Sequence, residues 1–282
     1  TAQDPFECGL AGYLIARMFG ARLHLQVHTD FMSQHFARES FFNRVRVRVA
    51  KFLIPHAAAV RVVSRRIKDS LSLVTRHLSH VSVLPIFIDV DRIIRAPITH
   101  DLKKKYPQFE KYILIASRLS PEKNIELALE AMSAVVKKYP KVGLIIVGSG
   151  AEEALLKKLV TELSLEKNVV FEGWQNDLAS YYKTADLFLL TSNYEGYGMT
   201  VVEALAAGCG VVMTDVGCAG EIVHNGKNGL VVPVGDKTAL VGAILGVISG
   251  KAKLVPNLPK LPTKDEYLAQ YRASWQDTLN AF

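Results

Sequence analysis

The chain has 282 residues, 49% of them hydrophobic and 22% charged, with a formal net charge of +7. That length holds two domains of ordinary size, and no apolar run is long enough to cross a bilayer. Cys8, Cys209 and Cys218 lack metal-ligand spacing, and their odd number fits free thiols in a reducing compartment better than a disulfide framework.

Helix and strand signals alternate along the chain, which predicts an α/β protein with parallel sheets. GLAGYLIARMFG (9–20) reads as a helix ending at Gly20, and LHLQVHT (23–29) as a strand. Residues 32–54 read as helix, although RVRVRV alternates like a strand. AAVRVVS (58–64) is a strand, RIKDSLSLVT a helix and VSVLPIF (81–87) a strand. Three strands make a small sheet for a doubly wound domain. Together with a start, TAQDPFECG, that lacks an initiator Met and any signal-peptide pattern, this predicts a chain beginning inside a domain. The polar, Pro-punctuated stretch 88–111 reads as a connection, giving domains over 1–90 and 112–262 with 91–111 between them. In the second domain, strands are expected at 112–119, 142–148, 168–173, 186–192, 210–216 and 229–234. Helices are expected at 125–140, 152–165, 178–185, 219–224 and 236–249. A Pro-rich linker (252–262) leads to a terminal helix, 263–282, whose Tyr267, Tyr271 and Trp275 recur every four residues as a packing stripe.

The positive charge is uneven. Residues 31–80 hold Arg38, Arg44, Arg46, Arg48, Lys51, Arg61, Arg65, Arg66, Lys68 and Arg76 against Glu39 and Asp69, a net +8. A solvated basic face explains this, and so does an anionic membrane surface or acceptor. No aromatic-and-basic module for nucleic acid is present.

The most informative stretch is 186–208. An apolar strand, DLFLLTS, runs into Glu195-Gly196-Tyr197-Gly198, and TVVEALAA then forms a helix closed by Gly208. Glu195 lies in the loop and Glu203 about one turn into the helix. Unpaired N–H groups at the helix start suit a phosphate, and carboxylates accept from hydroxyls. A nucleotide-sugar matches both.

In ASRLSPEKNIE, IIVGSGAEEALLKKL, GWQNDLASYYKTADLFLLTSNYEGYGMTVVEALAAG and DVGCAGEIVHNGKNGLVVPVGD, the chain resembles the retaining family 4 glycosyltransferases. QDPFECGLAG, VHTDF, VRVVSRRI and VLPIFIDVD match more loosely. The resemblance implies the GT-B fold, two Rossmann-like domains with a C-terminal crossover helix returning to the first. Family members carry several strands ahead of the QDPF segment, so it also implies an incomplete N-terminal domain.

The resemblance further implies transfer of a sugar from a nucleoside-diphosphate-sugar to an acceptor hydroxyl, with retention of configuration and without metal or other cofactor; the acceptor is expected to be a glycan or, as the basic stretch 31–80 fits, a lipid-linked or anionic compound. It assigns Arg118 and Lys123 to the diphosphate, Glu203 to ribose hydroxyls, and Glu195 to the donor sugar or departing phosphate. Backbone at Gly196, Tyr197, Gly198, Met199 and Thr200 is assigned to the sugar and diphosphate, and His28 to positioning the sugar. Gly148 and Gly150 would line the nucleotide cleft, with Trp174, after Gly173, near the base. Gly148-Ser149-Gly150 taken alone is an ordinary tight turn, and Trp174 taken alone suits packing or a rim. Asp89-Val90-Asp91 has the form of a metal motif but falls where this family has an acidic turn. A non-catalytic or truncated nucleotide-sugar-binding chain and a nucleotide-sugar epimerase remain open alternatives. The expected location is cytoplasmic, or peripheral to the inner face of the membrane through 31–80.

Overall fold

The computed structural model describes residues 1–75 and 79–280; Arg76, Ala281 and Phe282 lie outside them. The chain divides into two compact units.

The first unit holds Thr1–Phe87, Tyr194–Tyr197 and the residues from Lys260 onward. Its elements are α1 (Glu7–Phe19), β1 (His24–Val27), α2 (Gln34–Glu39), α3 (Phe41–Leu53), β2 (Ala59–Val62), α4 (Arg65–Leu71) and β3 (Val81–Val83). The strands form a parallel sheet in the order β1-β2-β3, and Ala2 bridges Leu25 in parallel. α1 ends as expected, with Gly20 left-handed at φ 65°.

The expected single helix over 32–54 is two helices. Ser40 is extended, which breaks the helix, and its hydroxyl accepts from Asn43 N to start the next one. RVRVRV is helical: α3 buries Asn43, Ala50 and Leu53 on one stripe. The last strand is shorter than expected because Pro85 has no N–H to continue the ladder.

The second unit, Ile88–Asn193 and Gly198–Pro259, is larger. It contains α5 (Val90–Arg95), α6 (Leu102–Lys105), β4 (Lys111–Ala116), α7 (Ile125–Lys138), β5 (Val142–Val147), α8 (Glu153–Glu162), β6 (Val169–Gly173), α9 (Leu178–Thr184), β7 (Leu187–Leu190), α10 (Met199–Ala206), β8 (Val211–Thr214), β9 (Gly229–Val232) and α11 (Lys237–Ile248). Six parallel strands follow the order β6-β5-β4-β7-β8-β9. β5 is buried throughout, as a parallel sheet covered on both faces requires. Ile113, Met132, Leu144, Leu187, Val212, Leu240 and Ile244 belong to its core.

The stretch 88–111 carries α5 and α6, and the ammonium of Lys183 binds the carbonyls of Ile94 and Ala96. The helix expected over 219–224 is absent. Gly220 and Gly226 adopt positive φ of 80° and 78°, and Asn228 instead holds the turn by binding Ile222 O and His224 N.

The terminal helix α12 (Lys264–Asn280) belongs to the first unit. Its tyrosines reach Arg61, buried on β2. The Arg61 guanidinium donates to Gln26 Oε1 (2.8 Å), the carbonyls of Leu84 and Pro85, and the Tyr267 hydroxyl (2.9 Å), and lies 4.9 Å from the Tyr271 ring. The aromatic stripe therefore packs, and it closes over a buried cation. No helix among the described residues is long and apolar enough to cross a membrane.

Candidate functional site

The strand order of the second unit locates a ligand edge. From β4 the chain proceeds outward to β5 and β6, then returns to β7 beside β4 and continues to β8 and β9 on the other side. The order reverses between β4 and β7, and α/β sheets bind ligands in the crevice at the carboxyl ends of strands at such a switch point. The loops after these two strands carry Arg118 with Lys123, and residues 191–198.

Those loops are stitched together. Thr191 Oγ1 donates to Lys123 O (3.0 Å), Asn193 N to Glu122 O (2.8 Å), and Asn124 Nδ2 to Asn193 Oδ1 (3.0 Å). Asn124 is left-handed, φ 45°, and its Oδ1 accepts from Leu127 N to start α7. Glu122 orients the exposed Arg118 by an ion pair at 3.0 Å, and Ser120 Oγ donates to the same carboxylate oxygen. Lys123 is half-buried.

The glycine turn after β5 supports the Arg118 loop from the other side. A Cβ on Gly148, φ 135°, would stand 1.8 Å from Ser117 O, and one on Gly150 2.2 Å from Leu119 O. Leu119 N donates to Ser149 O and Glu152 N to Leu119 O. These glycines let backbone pack on backbone on either side of Arg118. Gly173 closes β6 with its carbonyl accepting from Gly148 N. Trp174 is exposed and makes no ring contact among the described residues; its Nε1 donates to Asn176 Oδ1 at 3.4 Å.

Beyond β7, Gly198 precedes α10 in a left-handed conformation (φ 91°) without a side-chain cap. Gly198 has no side chain to cap the first turn, so the N–H groups at Met199 and Thr200 open the positive end of the helix without a cap from that position. One turn in, Glu203 is half-buried, and its Oε2 accepts from the Tyr182 hydroxyl at 3.0 Å. Tyr182 comes from α9, buried edge-on against Phe188. Burial pushes the Glu203 carboxyl above its usual range, opposed by the Tyr182 hydrogen bond. Oε1 has no protein partner among the described residues.

In the first unit, His28 follows β1 and is half-buried. Burial, and next the Arg61 charge, hold its imidazole below the usual value, favouring the neutral ring. Gly196 packs directly on it: a Cβ there would stand 1.8 Å from His28 O. Tyr197 is buried, Glu195 half-buried, and Tyr194 meets Phe36 edge-on and donates to Glu39. A cavity of about 640 Å³ in this unit touches residues before β1, β2 and β3, so it lies at the sheet edge opposite His28.

Asp89 caps α5, accepting from Arg92 N at 3.0 Å, and no group of three or more His, Cys, Asp or Glu side chains suited to a metal occurs among the described residues. Sequence reading did not single out Glu122, Asn124, Asn193 or Tyr182. Asn before the apolar run IELAL is a legible helix start; nothing in the sequence marks Tyr182.

A family model described as glycosyl transferases group 1 matches residues 99–260, more than half of the chain. The chain belongs to that family. Among curated relatives, this glycosyltransferase is 25% identical to the N-acetyl-alpha-D-glucosaminyl L-malate synthase of Bacillus anthracis, over 96% of its own length and 72% of the relative's. It is 36% identical to the poly(glycerol-phosphate) alpha-glucosyltransferase of Bacillus subtilis, over 51% of the chain and 22% of that protein. With the lipopolysaccharide core biosynthesis mannosyltransferase LpsB of Rhizobium meliloti it shares 30% identity, over 51% of the chain but 43% of the relative. Of the latter two it thus spans less than half. Among solved structures, HepE of Anabaena in complex with UDP-glucose superposes with a TM-score of 0.73 at 22% identity, covering 98% of this chain and 72% of that one. Sucrose-phosphate synthase of Thermosynechococcus elongatus gives 0.75 at 24%, covering 98% and 67%. At such identities the likeness concerns the fold, and the glycosyltransferase has the GT-B fold of two Rossmann-like, parallel-sheet units.

Proposed function

We propose that this glycosyltransferase is a retaining family 4 enzyme that moves a sugar from a nucleoside-diphosphate-sugar to an acceptor hydroxyl without a metal. The observation that carries the reading is the ledge at the β4/β7 switch point, where a loop bearing Arg118 and Lys123 is bonded to the loop leading to the uncapped start of α10. As the glycosidic C–O bond breaks, negative charge grows on the departing diphosphate. Fixed cations and a helix N-terminus act where that charge develops. Oε1 of Glu203 accepts from ribose hydroxyls while Tyr182 fixes the other oxygen. The family resemblance assigns His28 and Glu195 to the donor sugar, and the backbone at Gly196, Tyr197, Gly198, Met199 and Thr200 to the sugar and diphosphate. Gly148 and Gly150 keep the Arg118 loop in place beside the nucleotide, and Trp174 after Gly173 lies toward the base. The acceptor attacks from the face the leaving phosphate departs from, which retains configuration.

The acceptor is a glycan or a lipid-linked or anionic hydroxyl compound, reached at the inner face of the membrane through the basic stretch 31–80. Nucleic acid is not a partner. Relatives described with UDP or UDP-glucose make a uridine nucleotide the first to try.

Calorimetric titration with UDP, GDP and ADP, in buffer and then in EDTA, tests the reading. One nucleotide binding in the micromolar range, indifferent to EDTA and weakened in Glu203→Ala, is expected. A cooperatively melting sample that binds none of them overturns it.

A further inference from the structure

Helix α3 packs beside α1 and α2 and carries an anomaly. Its inward stripe is thin: Asn43, Ala50 and Leu53 are the buried residues. At 100° per residue, Phe41, Val45, Arg48 and Phe52 share the opposite stripe. They are exposed, Phe41 at 63%, and Phe42, about 100° round the helix from Phe41, reaches 73%. Arg44, Arg48 and Lys51 are exposed along the same helix and form no ion pair among the described residues. The guanidinium of Arg44 lies over the Phe41 ring at 5.6 Å. No acidic residue occurs in the helix.

The apolar surface continues onto α1. Glu7 pairs with Arg46 at 2.8 Å and Tyr13 meets Phe52 edge-on at 5.5 Å, so the two helices lie side by side. Met18 of α1 is 76% exposed. A contiguous exposed apolar surface of this kind marks an interaction site.

We propose that the outward face of α3 is a docking surface for an anionic lipid bilayer, with Phe41, Phe42 and Phe52 entering the headgroup–acyl boundary and Arg44, Arg48 and Lys51 meeting lipid phosphates. Phenylalanines flanked by cations on one exposed face are what an interfacial helix requires. Charge selects the bilayer over a second copy of the chain. A two-fold interface would set this face against itself, bringing Arg44, Arg48 and Lys51 against the same three cations with no carboxylate on the helix to answer them. The inference narrows the membrane contact proposed above to one helix face, and needs neither nucleotide nor acceptor to hold.

The test is co-sedimentation of the chain with vesicles of phosphatidylcholine alone and of phosphatidylcholine with phosphatidylglycerol, at low and high salt. Binding to the anionic vesicles only, reduced by salt, is expected. The pairs Phe41→Ser with Phe42→Ser and Arg44→Glu with Arg48→Glu should each lower the bound fraction at least tenfold while melting as wild type does. All substituted side chains are exposed, so if one pair fails to fold the other decides. Equal sedimentation with neutral and anionic vesicles, no binding to either, or wild-type binding by the folded variants overturns the proposal. So does light scattering that shows a dimer dissolved by these variants in a chain that ignores vesicles. UDP titration of the same variants is unchanged if the donor reading holds, so the two readings fail separately.

Discussion

The hydroxyl of Tyr182 donates to Oε2 of Glu203 at 3.0 Å from a buried position on α9. This one bond orients a half-buried carboxylate that forms no ion pair among the described residues. Its raised pKa means that ionised Glu203 is disfavoured in the folded chain. A carboxyl whose folded value lies above the unfolded one contributes stability below the unfolded value, near 4.5, and loses it as pH rises through the folded value. At pH 7, Glu203→Gln should therefore melt at or above the wild-type temperature, yet bind the nucleoside diphosphate at least tenfold more weakly, since a hydrogen bond to a charged acceptor is worth about 1.5–3 kcal/mol. Tyr182→Phe should weaken binding by a smaller factor. Calorimetry and thermal melts check both; a Glu203→Gln variant that binds normally removes the assigned role.

Gly148 and Gly196 are steric necessities. A methyl at either position would stand 1.8 Å from a carbonyl oxygen, Ser117 O or His28 O. Backbone must shift to admit it, which costs about 1–3 kcal/mol. Gly148→Ala adds strain at φ 135° and displaces the Arg118 loop, so it should lose both stability and diphosphate affinity. Gly196→Ala should destabilise without that loop displacement. Denaturant melts of the two variants provide the check, and an unchanged midpoint in either contradicts the geometry.

Arg118 is exposed, and its one ion pair among the described residues is the surface pair with Glu122. Such pairs contribute about 0–1 kcal/mol, so Arg118→Ala should leave stability nearly unchanged. Affinity for UDP should fall about tenfold or more, while that for uridine should not move. Equal losses for both ligands would place the guanidinium on the nucleoside instead.

His28 and His24 set an acid limit. Burial first, then the Arg61 charge, lowers His28, and burial foremost pushes His24 down to about 4. A histidine depressed in the folded state contributes stability that is full above the unfolded value near 6.5 and is lost as pH falls through the folded value. From His24, unfolding free energy should drop by roughly 2–3 kcal/mol between pH 7 and pH 4. Urea melts across that range, with His24→Gln as control, measure it; an unaltered slope in the control excludes His24 as the cause.

The sequence by itself determined the alternation of strands and helices, because parallel strands buried on both faces need uninterrupted apolar runs such as YILIA and VGLIIV. Through the resemblance that its motifs carry, it also singled out Arg118, Lys123, Glu195 and Glu203 as candidates. It over-read local helix signals where one residue decides otherwise: Ser40 splits 32–54, and Gly220 and Gly226 replace a helix with turns. Only the tertiary structure decided what lies beneath those positions. Tyr182 meets Glu203 across 21 residues, Asn124 meets Asn193 across 69, and Tyr267 meets Arg61 across 206. Such partners are brought together by strand order and helix packing, which no local periodicity records. The same holds for the outward phenylalanines of α3. Which side of that helix is covered was decided by its packing, which buries Asn43, Ala50 and Leu53.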